Sequence, residues 1–295
     1  EFVEGGHPQC AVNPRTAFEH VYPAAPPKAE ASKRIAVVGA GPAGVVAAVT
    51  AAARGHRVTL IEKSGKIGGR LIPGSVPKIK FDVDNYRLYL ERQVKKAEAA
   101  HGLTFLTGTE ATADWLADQR FDAVVVATGS ADVRLDLPGA ENANIVQATD
   151  LLMHPELAEG ARYVAVIGGG VVGCETAFWL RQELHKEVKV LEMTPVIMNH
   201  TCTANRGHLI HTLHKNGVEL LNCTRVTGFT PDGLLAVRNV SPTVPDPYDT
   251  WHPILPENIE NPLAPRIKVE EQAISLNADL IVLAAGGRAD DALFL

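Results

Sequence analysis

The chain has 295 residues, a formal net charge of −6 and 46% hydrophobic residues. This composition is ordinary for a globular protein and excludes a disordered chain, because there is ample apolar surface to bury. Its 25 glycines and 19 prolines are scattered without a period, which excludes a fibrous protein. The pI near 6.0 argues against a nucleic-acid partner, which would need a basic face for phosphates. At about 150 residues per domain, the length predicts two domains.

The amino-terminal part predicts an irregular arm followed by a β–α–β unit. Residues 1–32 contain five prolines, which forbid a long helix, so we expect an arm or linker. Arg34–Val38 is a short apolar run that predicts a buried strand. Ala43–Arg54 predicts a helix that Gly55 ends, and Arg57–Glu62 predicts the next strand. This order of elements is the parallel crossover unit.

Two features bear on where the protein resides. The uncharged stretch Ile35–Ala53 is long enough to pass for a membrane span. Three glycines and Pro42 interrupt it, and a strand–turn–helix accounts for every residue, so we expect no membrane partner. The four cysteines stand far apart without a Cys-x-x-Cys pair, which argues against a disulfide framework and favours the reducing cytoplasm.

The β–α–β unit occurs a second time. Tyr163–Ile167 predicts a strand, Val171–His185 a helix and Val188–Glu192 a strand. The two copies align at an offset of 129 residues, from Gly39 to Gly168. Such agreement is much harder to reach by chance than either copy alone, so we infer an internal duplication.

The other segments predict three regular elements and one loop. We expect a helix over Asp84–Ala100 and strands over Phe121–Thr128 and Asp279–Ala285. Residues 241–266 contain seven prolines and predict an extended surface loop, which could contact a partner domain.

The strongest chemical signal is Gly39-Ala-Gly41-Pro-Ala-Gly44, which follows a strand and opens a helix. Gly39 allows the tight turn, Gly41 lets the backbone approach a pyrophosphate, and Gly44 lets helix and strand pack closely. The helix N-terminus offers unpaired N–H groups to phosphates. Glu62 ends the second strand, where a carboxylate can accept hydrogen bonds from ribose hydroxyls. This context favours nucleotide binding over a turn without a ligand.

The second copy repeats the pattern as Gly168-Gly-Gly170-Val-Val-Gly173, with Glu192 as the ribose acceptor. A 2′-phosphate would meet a like charge at Glu192, so this site favours NADH over NADPH. The alternative is a degenerate copy that keeps the fold and binds nothing.

Two such motifs, with Val126-Ala-Thr128-Gly129 between them, resemble the two-dinucleotide-domain flavoprotein reductases. The resemblance implies FAD, or ADP, in the first site and NADH or NADPH in the second. The segment Glu62-Lys-Ser-Gly-Lys-Ile-Gly-Gly-Arg70 resembles the FAD loop of that family, in which the glycine pair lets the chain cross near the flavin pyrophosphate.

The resemblance implies an α/β fold of two Rossmann-like, glutathione-reductase-like domains, the second inserted in the first. We expect an arm over residues 1–32, an FAD (or ADP)-binding domain over 33–150, and an NAD(P)H-binding domain over 151–295 whose last residues return toward the first domain. The residues expected to contact the cofactors are Gly39, Gly41, Pro42, Ala43, Gly44, Glu62, Lys63, Gly68, Gly69, Arg70, Thr128 and Gly129 in the first site, and Gly168, Gly170, Val171, Val172, Gly173 and Glu192 in the second.

A narrower match lies in the arm. Cys10-Ala-Val-Asn13-Pro14, followed by Glu19 and Lys33-Arg-Ile, resembles the segment that joins barrel and reductase domains in the iron–sulfur branch of the old yellow enzyme family. That branch includes 2,4-dienoyl-CoA reductase, trimethylamine dehydrogenase and histamine dehydrogenase. The resemblance implies that Cys10 is the fourth ligand of a [4Fe–4S] cluster, with a barrel domain or subunit carrying FMN and the cluster as partner.

The barrel, the other three cluster ligands and the Gly-Asp motif that the family carries after Ala284–Arg288 are not in this sequence. We therefore expect one piece of a larger enzyme. The resemblance implies that electrons pass from NADH through FAD to the cluster and FMN, in a parent that reduces an activated C=C bond. Two alternatives stay open: an amine-dehydrogenase branch with structural ADP, and a non-catalytic nucleotide-binding module. The chain could also assemble as a homo-oligomer.

Two further groups of residues are of types that can carry chemistry. His208, His211 and His214 recur every three residues, which drifts by about 60° per step around a helix and favours a helix face over a zinc site. Cys174 follows Gly173 near a helix N-terminus, which could lower its thiol pKa. Without a partner cysteine or base, we interpret Cys174 as a small packing residue.

Overall fold

The computed structural model describes residues 10, 12–13, 15–142, 144–199, 201–251, 259 and 266–294. They form two compact units. The first contains the described residues up to Ser75, Lys80–Ser130 and those from Ala289 onward. The second contains Val76–Ile79 and Ala131–Arg288. The second unit is thus inserted in the first.

The first unit is a parallel sheet flanked by helices. Its strands are β1 (Arg34–Val38), β2 (Arg57–Glu62), β3 (Leu103–Thr107) and β4 (Ala123–Val126), in the order β3-β2-β1-β4. Its helices are α1 (Pro42–Ala53), α2 (Leu71–Gly74), α3 (Phe81–His101) and α4 (Ala113–Gln119). Apolar side chains are buried on both faces of the sheet, as expected for a parallel sheet.

The second unit contains a parallel and an antiparallel sheet. Its parallel strands are β6 (Ile145–Gln147), β7 (Tyr163–Ile167), β8 (Glu187–Leu191), β9 (Glu219–Leu221) and β13 (Leu280–Leu283), in the order β6-β13-β7-β8-β9. Its helices are α5 (Ala148–Met153), α6 (Val171–Gln182) and α7 (Thr203–Lys215). The strands β10 (Thr224–Thr230), β11 (Gly233–Asn239) and β12 (Glu271–Asn277) form the antiparallel sheet. The short strands β5 (Ser130–Asp132) and β14 (Gly287–Ala289) pair with each other.

The predicted α/β fold with Rossmann-like parallel sheets is confirmed, and the differences concern boundaries. Helix α6 ends at Gln182 rather than His185, because His185 adopts a left-handed φ of 56° that stops the helix. The central segment of the first unit ends at Ser130, whereas the predicted boundary lay at residue 150; β6 pairs with β13 in the sheet of the second unit. Strand β4 is shorter than predicted, and α3 is longer.

The two parallel sheets repeat each other in detail. Gly39 N donates to Ile61 O at 2.8 Å, and Gly168 N donates to Leu191 O at 2.9 Å. The duplication seen in the sequence is therefore a duplication of backbone geometry at the carboxyl ends of the strands, where ligands bind in open α/β sheets.

The stretch Ile35–Ala53 forms β1, the glycine turn and α1. Among the described helices, none is both long and apolar enough to cross a membrane.

Candidate dinucleotide-binding sites

The first glycine turn connects β1 to α1, and two of its glycines are required by packing. Gly39 has a φ of +102°, and a Cβ there would lie 2.3 Å from Ala127 O. A Cβ on Gly44 would lie 1.8 Å from Gly39 O. By contrast, a Cβ on Gly41 would meet nothing within 4 Å. The fold itself therefore gives no steric reason for glycine at position 41.

The second turn, between β7 and α6, has the same three environments. A Cβ on Gly168, where φ is +110°, would lie 2.3 Å from Ala284 O, and one on Gly173 would lie 1.9 Å from Gly168 O. Gly170 again has nothing within 4 Å. Open space at Gly41 and Gly170 fits a ligand that approaches the backbone closely.

The helices that start at these turns offer free N–H groups to an anion. Neither α1 nor α6 has a side-chain cap at its N-cap glycine, and neither has an acidic residue in its first turn. In α1, Pro42 occupies the first position and has no N–H, so Ala43 and Gly44 supply the donors there. In α6, Val171 and Val172 correspond to Pro42 and Ala43, and both are exposed. An uncapped N-terminus with its positive dipole end is suited to a pyrophosphate.

The acidic residues at the carboxyl ends of β2 and β8 are held in the same way. Glu62 accepts from Ala40 N and from Ser64 N, each at 2.8 Å and each on a different oxygen. Glu192 accepts from Gly169 N and from Thr194 N, also at 2.8 Å and on different oxygens. A carboxylate has about four acceptor positions, so each keeps capacity for ribose hydroxyls. Backbone donors thus orient both carboxylates before a ligand arrives.

The loops after the acids also match, which the sequence interpretation missed. Ser64 and Thr194 each donate a backbone N–H to the acid two residues earlier. Gly68 N donates to Ala40 O at 2.9 Å, and Met198 N donates to Gly169 O at 2.7 Å. The shared pattern Glu-x-Ser/Thr-x-x-Ile was visible in the sequence once the two copies were aligned.

The other residues predicted for the first site lie in the loop after Glu62 and in the segment after β4. A Cβ on Gly69 would lie 3.1 Å from Gly41 Cα, so the Gly68-Gly69 pair contacts the glycine turn, while Lys63 is exposed. Arg70 donates from Nη2 to Ser130 O at 2.7 Å. Thr128 and Gly129 bond the returning chain, since Thr128 Oγ1 donates to Asp290 O and Asp290 N donates to Gly129 O.

The candidate metal ligand has no cluster around it. Cys10 is a half-buried free thiol, and the described residues contain no group of three or more His, Cys, Asp or Glu side chains placed to hold a metal ion. Cys10 alone does not fit a [4Fe–4S] cluster, which takes four thiolates. His208, His211 and His214 lie on α7, as the helix interpretation predicts.

Cys174 is fully buried beside the second turn, and its Sγ lies 3.5 Å from Gly169 O. Burial raises the pKa of the Cys174 thiol far above its usual range, with Glu192 and Glu175 adding to the effect. Desolvation of the thiolate outweighs the helix N-terminus, so the structure favours the packing role.

The difference in burial between Cys174 and Cys202 predicts the order in which their thiols react. In the native protein, the exposed Cys202 should react rapidly with iodoacetamide, whereas Cys174 should stay unlabelled until the chain is unfolded. Mass spectrometry of tryptic peptides after native and denatured labelling measures both. Cys202→Ser should remove the fast label, and native labelling of Cys174 would contradict the packing role.

Curated relatives of the chain are larger reductases and oxidases. The chain is 37% identical over 233 residues to a cinnamate reductase of Clostridium sporogenes, covering 78% of this chain and 33% of that protein. It is 36% identical over 231 residues to an NADH oxidase of Thermoanaerobacter brockii, covering 78% of this chain and 35% of that protein. The chain thus spans about a third of the length of these relatives.

Solved structures show the same fold over nearly the whole chain. A 2-naphthoyl-CoA reductase in complex with 2-naphthoyl-CoA matches with a TM-score of 0.78 and 28% identity, covering 97% of this chain and 38% of that one. Histamine dehydrogenase from Rhizobium sp. 4-9 matches with a TM-score of 0.76 and 21% identity, covering 97% and 39%, which shows the fold alone. The predicted resemblance to the old yellow enzyme-like flavoenzymes is confirmed by the matches to the cinnamate reductase and the 2-naphthoyl-CoA reductase. The family model described as pyridine nucleotide-disulphide oxidoreductase matches residues 33–294, so the chain belongs to that family and is an oxidoreductase.

Proposed function

We propose that this chain is the NADH:flavin oxidoreductase region of a larger flavoenzyme, with FAD in the first site and NADH in the second. The observation that carries the proposal is the paired open space at Gly41 and Gly170, each beside an uncapped helix and an oriented carboxylate. A degenerate copy would have no reason to keep glycine at position 170.

In the first site, the backbone does most of the binding. Gly41 lets the pyrophosphate approach the N–H groups of Ala43 and Gly44, and Glu62 accepts from the ribose. Gly69 continues the same surface, because its backbone lies against Gly41. These features fit the adenosine diphosphate part of FAD.

In the second site, the charge pattern selects the cofactor. Glu192 faces the position of the adenosine ribose, and residues 193–199 contain no Lys or Arg. A 2′-phosphate would find repulsion from Glu192 and no cation in this loop, so NADH is preferred to NADPH.

When bound, NADH supplies a hydride and FAD accepts it. The chain's own residues orient the two dinucleotides, and the step itself needs no acid or base from the protein. We therefore assign no catalytic residue.

The wider reaction is proposed from the relatives. Cinnamate carries a C=C bond conjugated to a carboxylate, and a cinnamate reductase is among the relatives, which supports a parent of the enoate or dienoyl-CoA reductase type. The four free cysteines without a Cys-x-x-Cys pair support a cytoplasmic location. We propose that a barrel domain or subunit carrying FMN and a [4Fe–4S] cluster is the partner. Cys10 would contribute one ligand to that cluster.

The test is anaerobic reduction of the FAD-loaded chain. We expect NADH to bleach the flavin absorbance, and NADPH to do so at least about tenfold more slowly at equal subsaturating concentration. A chain that retains only ADP and shows no bleaching would overturn the proposal and favour the amine-dehydrogenase-like alternative with structural ADP.

A further inference from the structure

Two buried polar side chains hold the loop that follows Glu192, here called the adenosine loop (residues 193–199). Arg206 on α7 is 4% exposed and donates from Nε to Ile197 O at 2.8 Å. Asn222, after β9, is 0% exposed and donates from Nδ2 to Pro195 O at 2.7 Å. The adenosine loop is thus held at two alternate carbonyls by side chains from two different elements.

Packing alone does not account for these residues. Arg206 Nη1 and Asn222 Oδ1 are fully buried and have no hydrogen-bond partner among the described residues. Burial lowers the pKa of the Arg206 guanidinium, and the carboxylate of Asp249 counteracts that effect. An apolar side chain would fill either position at lower cost, because a buried cation and an unpaired amide oxygen are both unfavourable.

The N–H groups of the same loop reach the second site. Thr194 N donates to Glu192 Oε1, and Met198 N donates to Gly169 O beside the glycine turn. The carbonyls held at positions 195 and 197 therefore lie between the N–H group of Thr194, which orients Glu192, and that of Met198, which contacts the turn. A shift of the loop would move both.

The loop also needs support that the first copy does not need. Gly68 in the first copy adopts a φ of +132°, which glycine tolerates. Its counterpart Met198 adopts a left-handed φ of 53°, which is unfavourable for a residue that has a Cβ. The neighbouring Ile197 is anchored by Arg206, so that anchor lies where the strained residue requires it.

Part of the proline-rich segment completes this arrangement. Pro245 O accepts a second bond from Asn222 Nδ2 at 2.9 Å. The Tyr248 hydroxyl donates to Val218 O at 3.0 Å and accepts from Leu220 N at 3.1 Å. The described residues 241–251 therefore form an irregular strap that is hydrogen-bonded to its own unit, and residues 252–258 and 260–265 of the predicted loop lie outside the described residues.

We infer that Arg206 and Asn222 are positioning residues for the second dinucleotide site, which fix the adenosine loop and through it the Glu192 carboxylate. The inference rests on the proposed binding of NADH at this site. It assigns the loop to the adenosine half of the dinucleotide, so ligands that lack adenosine should not depend on it.

The experiment compares two electron donors in the FAD-loaded chain: NADH, and reduced nicotinamide mononucleotide (NMNH), which lacks the adenosine half. We expect Arg206→Met and Asn222→Ala to raise the Kd of NADH at least about tenfold and to leave the rate of flavin reduction by NMNH within about twofold. Arg206→Lys keeps the charge and should recover part of the NADH affinity.

Arg181→Met is the matched control. Arg181 also donates to a backbone carbonyl, from Nε to Asn216 O at 2.7 Å, but it lies at the end of α6 away from the glycine turn. Its loss should lower the melting temperature without changing the ratio of NADH to NMNH use.

The outcomes separate the inference from the proposed function. If the wild-type chain binds no NADH, the proposed function fails. If the wild type binds NADH and a folded Arg206→Met variant binds it equally well, or loses NADH and NMNH use together, the inference alone is overturned. Should Arg206→Met not fold, Asn222→Ala and Arg206→Lys decide by the same ratio.

Discussion

Gly170→Ala is expected to weaken NADH binding by at least about tenfold while the protein stays folded. The reason is that a Cβ on Gly170 meets no protein atom within 4 Å but occupies the space through which the pyrophosphate approaches. The φ of −74° at this N-cap suits alanine, so the melting temperature should fall by no more than about 4 °C. Isothermal titration with NADH and differential scanning calorimetry measure the two effects.

The duplication supplies the controls for this prediction. Gly41→Ala should reduce FAD retention and leave NADH affinity unchanged, because each variant changes one turn only. Gly173→Ala should instead destabilise the protein by more than about 3 kcal/mol, because its Cβ would lie 1.9 Å from Gly168 O. Unchanged NADH affinity in a folded Gly170→Ala variant would show that the second turn does not bind the dinucleotide.

Glu192→Gln is expected to change the affinities for the two nicotinamide cofactors in opposite directions. The binding of NADH should weaken by about 1.5–3 kcal/mol, because the ribose no longer donates to a charged acceptor. This change raises the Kd of NADH about ten- to 150-fold. NADPH should bind more tightly, because its 2′-phosphate no longer meets a like charge. Titration of each cofactor measures the ratio.

The opposite changes in the two affinities distinguish this prediction from a loss of folding, because unfolding would weaken the binding of both cofactors. Glu62→Gln removes the equivalent carboxylate of the first site and should leave the NADH to NADPH ratio unchanged. A Glu192→Gln variant with the wild-type ratio of NADH to NADPH affinity would mean that the carboxylate does not bind the ribose.

Local sequence patterns were sufficient to locate several strands and turns of this protein. The apolar runs of β1 and β7 and the turn glycines could be located from the sequence, because a buried parallel strand and a strand–helix turn each need particular residue types within a few positions. The hairpin of β10 and β11 has a comparable signal in Pro231-Asp-Gly233 between its strands. These features depend on neighbours along the chain.

Other features depend on residues far apart in the sequence. The clash that requires glycine at position 39 comes from Ala127, and the carbonyl held by Arg206 belongs to a loop after another strand. Likewise, β6 joins the second sheet only because it pairs with β13. The sequence by itself determined the two glycine turns and their acids, whereas only the tertiary structure decided which glycines are free for a ligand and which buried side chains hold the adenosine loop. The physical reason is that both depend on what packs against each residue in space, and no local period or motif encodes that.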